Sequence, residues 1–431
     1  MSIDVRRPLA VDLFAGAGGL SLGLEQAGFE IAAAVEFDPI HAAVHEYNFP
    51  YGKTFAVDAS NITGDQIRNE SEIGQREIHL VAGGPPCQGI SLMGRRMIDD
   101  PRNALLKEFI RIVLELQPRY FLMENVAGLM VGEHHQLIDE IIEIAEANKR
   151  YRVIRPVTVL QAADFGTPQS RRRVILIGAR SDVPLPAYPT PQYAPRTIKG
   201  VVPHSAELPV GPSVMDAIGD IPDADLFEEL LHDDVVSDID YGTPSTYAAQ
   251  LRGETRDPGD YSHVRPQASD ELTSSARTIH TRKSITRFEA TDPGTTEKVS
   301  RFLRLHPEGI CNTLRAGTAS DRGAYTAPRP IHPVYSRVIA VREAARLHGY
   351  PDWFRFHGTK WNGFRQIGNS VPPKLGRAVG SELLKADQVK QTAGELIIPG
   401  STNLLYMTEG EAHAYFGLTE RVISQRNRKV V

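Results

Sequence analysis

Short apolar runs recur along the first part of the chain, and most of them stop on a polar or glycine-rich residue. Val11–Phe14 runs into AGAGG, Ile31–Val35 into Glu36, Thr54–Val57 into Asp58, Ile78–Ala82 into GGPPC, and Tyr120–Met123 into Glu124-Asn125. Runs of this length read as strands. Between them lie helical spacings: Leu20, Leu24 and Ala27, then Ala104–Leu116 with Leu105, Phe109, Ile112, Val113 and Leu116 apolar. Val174–Ile177 reads as a further strand. Strands alternating with helices predict an α/β fold, a doubly wound parallel sheet with crossover helices.

A chain of 431 residues can bury a large core and hold two or three domains. From about residue 181 to 335 the periodicity weakens and prolines become frequent, which predicts a second, irregular domain. Charge is uneven there. Asp216–Asp240 holds ten acidic residues and no Lys or Arg, whereas Arg277–Arg304 holds seven basic residues against three acidic ones. The basic stretch could meet a polyanion; both stretches could equally be solvated surface. Charges interrupt every long apolar run, so no membrane span is expected. The opening MSIDVRRPLAVDLF reaches Asp12 too early for a leader peptide, and with two cysteines the chain reads as cytoplasmic with reduced thiols. Neither cysteine has metal-ligand spacing, so no metal is expected.

In an open α/β sheet, ligands bind at the carboxyl edge of the strands. Gly16, Gly18 and Gly19 allow close backbone approach at a helix N-terminus. The spacing is not G-x-G-x-x-G, because Ser21 occupies the last position. Glu36, about twenty residues further on, suits ribose hydroxyls. With Asp58 at the next strand end, the set points to an adenosine-containing cofactor. Cys87 follows a strand at the same edge, fixed by Gly83, Gly84, Pro85 and Pro86. A lone cysteine is often an apolar filler, but this backbone suits a positioned nucleophile. Glu124, at the next strand end, could protonate a ring nitrogen beside the attacked carbon.

The ordered set of motifs resembles the cytosine-5 DNA methyltransferase family of bacterial restriction-modification type. It comprises DLFAGAGGLSLGL at 12–24, GGPPCQGIS at 83–91, DPRNALLKEF at 100–109, ENV at 124–126, QSRRR at 169–173, VREAARLHGYPD at 341–352 and QIGNSVPP at 366–373. The resemblance implies a methyltransferase fold dependent on S-adenosylmethionine, with a smaller target-recognition domain. It implies a catalytic domain over residues 1–185, target recognition over 186–355, a return to the catalytic domain over 356–390 and a C-terminal extension over 391–431. The substrate would be cytosine flipped out of a specific duplex sequence. A separate cognate restriction endonuclease would be a natural partner.

Residue roles follow from the resemblance. Cys87 would attack carbon 6 of cytosine and Glu124 would hold the ring nitrogen. Asn125 would position the Pro-Cys turn, and Arg171 and Arg173 would contact the base and its phosphate. Phe14, Gly16, Gly18, Gly19, Glu36, Phe37, Asp58, Pro86, Leu105, Asn369 and Val371 would form the cofactor pocket. Gln88, Ser91, Arg95 and Arg96, in a loop closing over DNA, together with Gln169 and Thr313, would meet the nucleic acid. Family positions commonly holding Phe, Thr and Phe carry Ile90, Ala340 and Tyr350 here. A tRNA-methylating branch usually carries a CFT tripeptide, absent here, which favours DNA. A non-catalytic DNA-binding relative would have lost Cys87, Glu124, Arg171 or Arg173, and all are present. The tail from Tyr406 to Lys429 is similar to a helix-turn-helix; it could instead pack on the catalytic domain.

Overall fold

The computed structural model describes residues 6–86, 103–147, 149–202, 207–317 and 329–418. The chain opens with β1 (Leu9–Leu13), α1 (Gly19–Ala27), β2 (Glu30–Glu36), α2 (Pro39–Asn48), β3 (Lys53–Ala56), α3 (Gly64–Glu70) and β4 (Ile78–Gly83). It continues through α4 (Ala104–Leu116), β5 (Tyr120–Val126), α5 (His135–Glu146), β6 (Tyr151–Val153), β7 (Thr158–Gln161) and β8 (Arg172–Arg180). The eight strands form one sheet in the order β3-β2-β1-β4-β5-β8-β6, with β7 also on β8.

β3, β2, β1, β4 and β5 are parallel, as the alternation predicts. β8 runs antiparallel to β5, β6 and β7, which an all-parallel reading misses. Only residues 162–171 separate β7 from β8. That connection is too short for a crossover helix, so the chain turns straight back. Strand order reverses between β1 and β4, which opens a crevice at their carboxyl ends.

Helices cover both faces, which is why β1 (LAVDL) is buried along its whole length. One face packs α4 and α5 through Phe109, Val113, Ile138 and Ile141. The other packs α1, joined by a helix from the far end of the chain.

Residues 181–335 carry little regular structure among the described residues: α6 (Val214–Ile218), α7 (Thr246–Leu251), α8 (Arg282–Glu289) and isolated bridges. Their apolar residues, among them Leu230, Val236, Tyr247, Leu272 and Leu305, share one buried cluster with Leu20 and Leu24 of α1. Then come α9 (Val341–His348), α10 (Lys360–Asn369), α11 (Pro373–Ala386) and α12 (Glu409–Tyr415). Among the described residues no helix is long and apolar enough to cross a membrane.

α11 completes the layer beside α1. A Cβ at Gly23 would lie 2.9 Å from Gly376 Cα, and one at Gly380 would lie 2.8 Å from Ala27 Cβ. Glycine at 23 and 380 lets these helices nearly touch. A buried charge cluster also anchors the middle region. Arg265 forks onto Glu25 of α1 at 2.6 and 2.8 Å, and His263 Nε2 lies 3.0 Å from Glu30 Oε2. Beyond α11, Leu404 and Leu405 are buried against Ala17, Ala43, Val44 and Tyr47. The tail up to residue 418, with Met407 and Phe416 against the same cluster, therefore packs on the loop after β1 and on α2. The second helix expected after Thr419 lies outside the described residues.

Candidate active site

A cleft of about 940 Å³ opens at the carboxyl edge of the sheet, over the point where strand order reverses. The loop after β1 enters it in left-handed backbone, with φ of 59° at Phe14 and 58° at Gly16. Gly16 donates its N–H to Glu36 Oε2 at 2.8 Å, and Glu36 Oε1 accepts the N–H of Asp38 at 2.8 Å. Two backbone donors thus fix the carboxylate at the end of β2, while burial pushes it above the usual range. A Cβ on Gly16 would meet nothing within 4 Å. At Gly18 it would strike the Phe49 ring, and at Gly19 the Tyr350 hydroxyl. Gly16 faces the cleft; the other two serve packing.

Asp58, after β3, caps a single turn by accepting from Ser60 N at 2.8 Å, and its side chain borders the same cleft. Phe14, Phe37, Pro86, Leu105, Asn369 and Val371 line it as well. Phe37 is 42% exposed, an unusual position for a large aromatic that leaves a face free for a flat ligand.

The opposite pole is built on β5 and β8. Glu124 is buried, and its Oε1 pairs with Arg173 Nε at 2.6 Å. Burial raises its proton affinity, opposed by Arg173 and Arg171. Its Oε2 lies 2.8 Å from where a Cβ on Gly84 would sit, so glycine is needed for this approach. Asn125 Nδ2 donates to Pro85 O at 3.0 Å and ties the β4 exit to β5. Cys87, Gln88, Ser91, Arg95 and Arg96 lie outside the described residues. Pro86, the residue before Cys87 in the sequence, lies on the cleft wall.

The QSRRR residues separate. Arg173 reaches Glu124. Arg171 borders the cleft but is 1% exposed, donating to Leu314 O at 2.8 Å, Gly368 O at 2.8 Å and Ser370 O at 2.7 Å. Burial, reinforced by Arg173, pulls its pKa down to about 9. Gln169 is fully buried behind the site, with Nε2 3.0 Å from His348 Nδ1 and Oε1 accepting from Leu314 N at 3.2 Å. Thr313 stays at the cleft, pinned by a 2.5 Å hydrogen bond from its hydroxyl to Ser170 O.

Asp12 is a cleft residue that the motif reading leaves without a role. It is buried on β1 and accepts from Ser21 Oγ at 2.6 Å; Ser21 Oγ lies 3.0 Å from His45 Nε2, and His45 Nδ1 3.1 Å from Thr54 Oγ1. Burial, with Glu36 and Glu124 nearby, pushes Asp12 up to about 7. The available signal was a carboxylate inside a run otherwise apolar, where an unpaired charge is costly.

The sequence pattern of the C-5 cytosine-specific DNA methylase family matches residues 10–385. The type II methyltransferase M.XorII of Xanthomonas oryzae pv. oryzae is 53% identical over 425 residues, covering 98% of this chain and 96% of that protein. The type II methyltransferase M1.HphI of Haemophilus parahaemolyticus is 32% identical over 380 residues, covering 87% and 86%. A crystal structure described as that of a prophage-encoded DNA modification methyltransferase from E. coli superposes with a TM-score of 0.68 at 30% identity, covering 88% of this chain and 99% of that one. The doubly wound sheet is thus the methyltransferase fold. A family pattern spanning the cleft and the sheet beneath it, with relatives matched along nearly their whole length, makes this chain a member of the C-5 cytosine-specific DNA methylase family.

Proposed function

We propose that this protein transfers a methyl group from S-adenosylmethionine to carbon 5 of a cytosine flipped out of one duplex DNA sequence. The observation that carries the reading is the convergence of two poles on one cleft: the Gly16–Glu36 cradle with Asp58, and the Glu124–Arg173 pair beside the Pro85–Pro86 exit. The first pole fits the cofactor. Gly16 leaves open space, Glu36 and Asp58 offer acceptors for ribose and adenine donors, and Phe14 and Phe37 offer apolar faces. When bound, the cofactor supplies an electrophilic methyl group on a sulfonium.

The second pole fits the base. Cys87 follows Pro86 directly, so its thiolate would enter the cleft beside Glu124. The thiolate forms a bond to carbon 6, and Glu124 gives its proton to ring nitrogen 3, leaving carbon 5 nucleophilic. Carbon 5 then takes the methyl group, the S–CH3 bond breaking to leave a neutral thioether, and gives its proton to water; the bond from carbon 6 to sulfur breaks with its electron pair returning to the thiolate, and nitrogen 3 returns its proton to Glu124. Arg173, held against Glu124, orients that carboxyl and leaves further N–H donors for the base. Residues 186–355 would read the sequence, with Thr313 at the junction. The enzyme would work in the cytoplasm beside a cognate restriction endonuclease and protect host DNA from it.

Incubation of the purified protein with the cofactor and a mixed-sequence duplex, followed by bisulfite mapping, tests the reading. Modified cytosines in one recurring context are expected; no modified cytosine, or modification confined to RNA, overturns it. A duplex carrying 5-fluorocytosine at the mapped site should then trap a denaturation-resistant adduct with the native protein. None should form with Cys87→Ser.

A further inference from the structure

We propose that Arg315 and Arg365 form a phosphodiester clamp on the rim of the cleft, gripping the DNA backbone next to the flipped nucleotide; this rests on the DNA-methylating reading above. Four arginines border the cleft: Arg171, Arg173, Arg315 and Arg365. Two are already committed. Arg171 donates to three backbone carbonyls, and Arg173 is paired with Glu124 and donates to Arg172 O at 2.8 Å. Arg171 has no fork left for a phosphate, and the donors that Arg173 keeps belong to a guanidinium held against Glu124 at the base pole, so the phosphate role expected of this pair needs other cations.

Arg315 and Arg365 supply them. Arg315 is exposed and Arg365 half-buried, and among the described residues neither makes a hydrogen bond or an ion pair. The Arg365 guanidinium lies over the Trp361 ring, 5.0 Å from its centroid, and its Nε is enclosed without an acceptor. Stacking fixes the plane of the group and leaves its terminal N–H donors available.

The two come from distant parts of the chain and are brought together by design of the backbone. A Cβ at Gly368 would sit 2.4 Å or less from the Arg315 carbonyl carbon and Ala316 N, so the stretch carrying Arg315 lies directly on the end of α10. Arg171 holds both strands of that junction, through Leu314 O on one side and Gly368 O and Ser370 O on the other. Arg171 is thus a positioning residue for the arginines that remain free. The surrounding field has the same sign. Arg329 lies over Phe364, the neighbour of Arg365, at 4.8 Å, and Lys360 donates to Arg277 O; among the described residues neither has a carboxylate partner. The cleft's carboxylates, Asp12, Glu36, Asp38, Asp58 and Glu124, make no ion pair with Arg315 or Arg365, and two cations left without a partner on the rim suit a polyanion.

The test compares the native protein with Arg315→Gln, Arg365→Gln, the double variant and Arg365→Lys. The probe is the duplex found to be methylated, with S-adenosylhomocysteine present. Kd is read by fluorescence anisotropy from about 50 to about 300 mM KCl, where the salt slope counts phosphate contacts. Each glutamine variant should lower the slope of log Kd against log salt by about 1, and the double by about 2. Arg365→Lys should keep most of the slope, and cofactor affinity by calorimetry should stay within about twofold in every variant. An unchanged slope in the double variant overturns the clamp, as does a loss of cofactor affinity at constant slope. If the double variant fails to fold, exposed Arg315→Gln decides alone. A native protein that methylates no duplex defeats the functional reading instead, so the two failures are separable.

Discussion

Glu124 and Asp12 are two buried carboxylates on neighbouring parts of one cleft, and both hold protons more tightly than free side chains. Glu124 can use that as an acid. Glu124→Gln should lower kcat by about 10²–10⁴-fold with little change in melting temperature, as single-turnover kinetics and calorimetry would read. Asp12 affects stability instead. Its folded pKa of about 7 exceeds the ordinary 3.8, so the folded state binds more protons between those values. The contribution is therefore fully present below about pH 4 and lost as pH rises through 7, by roughly 4 kcal/mol at most. Asp12→Asn should remove this fall; urea denaturation from about pH 5 to about pH 8 should show the variant gaining on the native protein as pH rises. Glu36, Asp58, Glu124 and Asn125 were legible in the sequence because each follows an apolar run, at the edge where ligands bind. Asp12 was not, because it sits inside a run. Gln169 and Arg171 were legible as a motif, yet their surroundings were not: the carbonyls of Leu314, Gly368 and Ser370 arrive from elsewhere in the chain and enclose them.

Helix α4 was readable to its ends, Ala104 and Leu116, because its apolar spacing is strong and one face alone is buried. The strands β6 and β7 were not, being three and four residues long, too short for a period to show. The contacts that attach distant elements to the sheet were equally hidden. Glu25 and Arg265 form a fully buried pair, and the arginine, with His263 and Arg7, holds Glu25 down at about 2 despite burial. Its contribution is present above the ordinary carboxylate range and lost as pH falls toward 2. Glu25→Gln strands the guanidinium and should cost about 3–5 kcal/mol at neutral pH in urea denaturation, and replacing Arg265 with Met in the same chain should recover much of it. Leu405, wholly buried against the loop of Ala17 and against α2, should cost about 2–5 kcal/mol on replacement by Ala.

At the scale of the molecule, the alternation of runs made the sheet legible, and the motifs made the chemistry legible. The target sequence stayed unreadable, because the region assigned to it has few periodic elements and its side chains are placed by long-range packing. Exchanging residues 186–335 for the same segment of a relative with another target should move the methylated site in bisulfite mapping; retention of the original site would place recognition elsewhere. The docking of α11 on α1 through Gly23, Gly376 and Gly380 has a further consequence, for the order of events during synthesis. The ribosome finishes the sheet by residue 180, but the helix that packs on α1 begins only at Pro373, and Val371 of the cleft wall just before it. At about 5–20 residues per second, a nascent chain waits roughly ten to forty seconds without that helix. Over that interval it should hold no cofactor and modify no base, so a ribosome-stalled chain ending near residue 340 should be silent in a methylation assay. Activity should appear only when Pro373–Ala386 has left the exit tunnel.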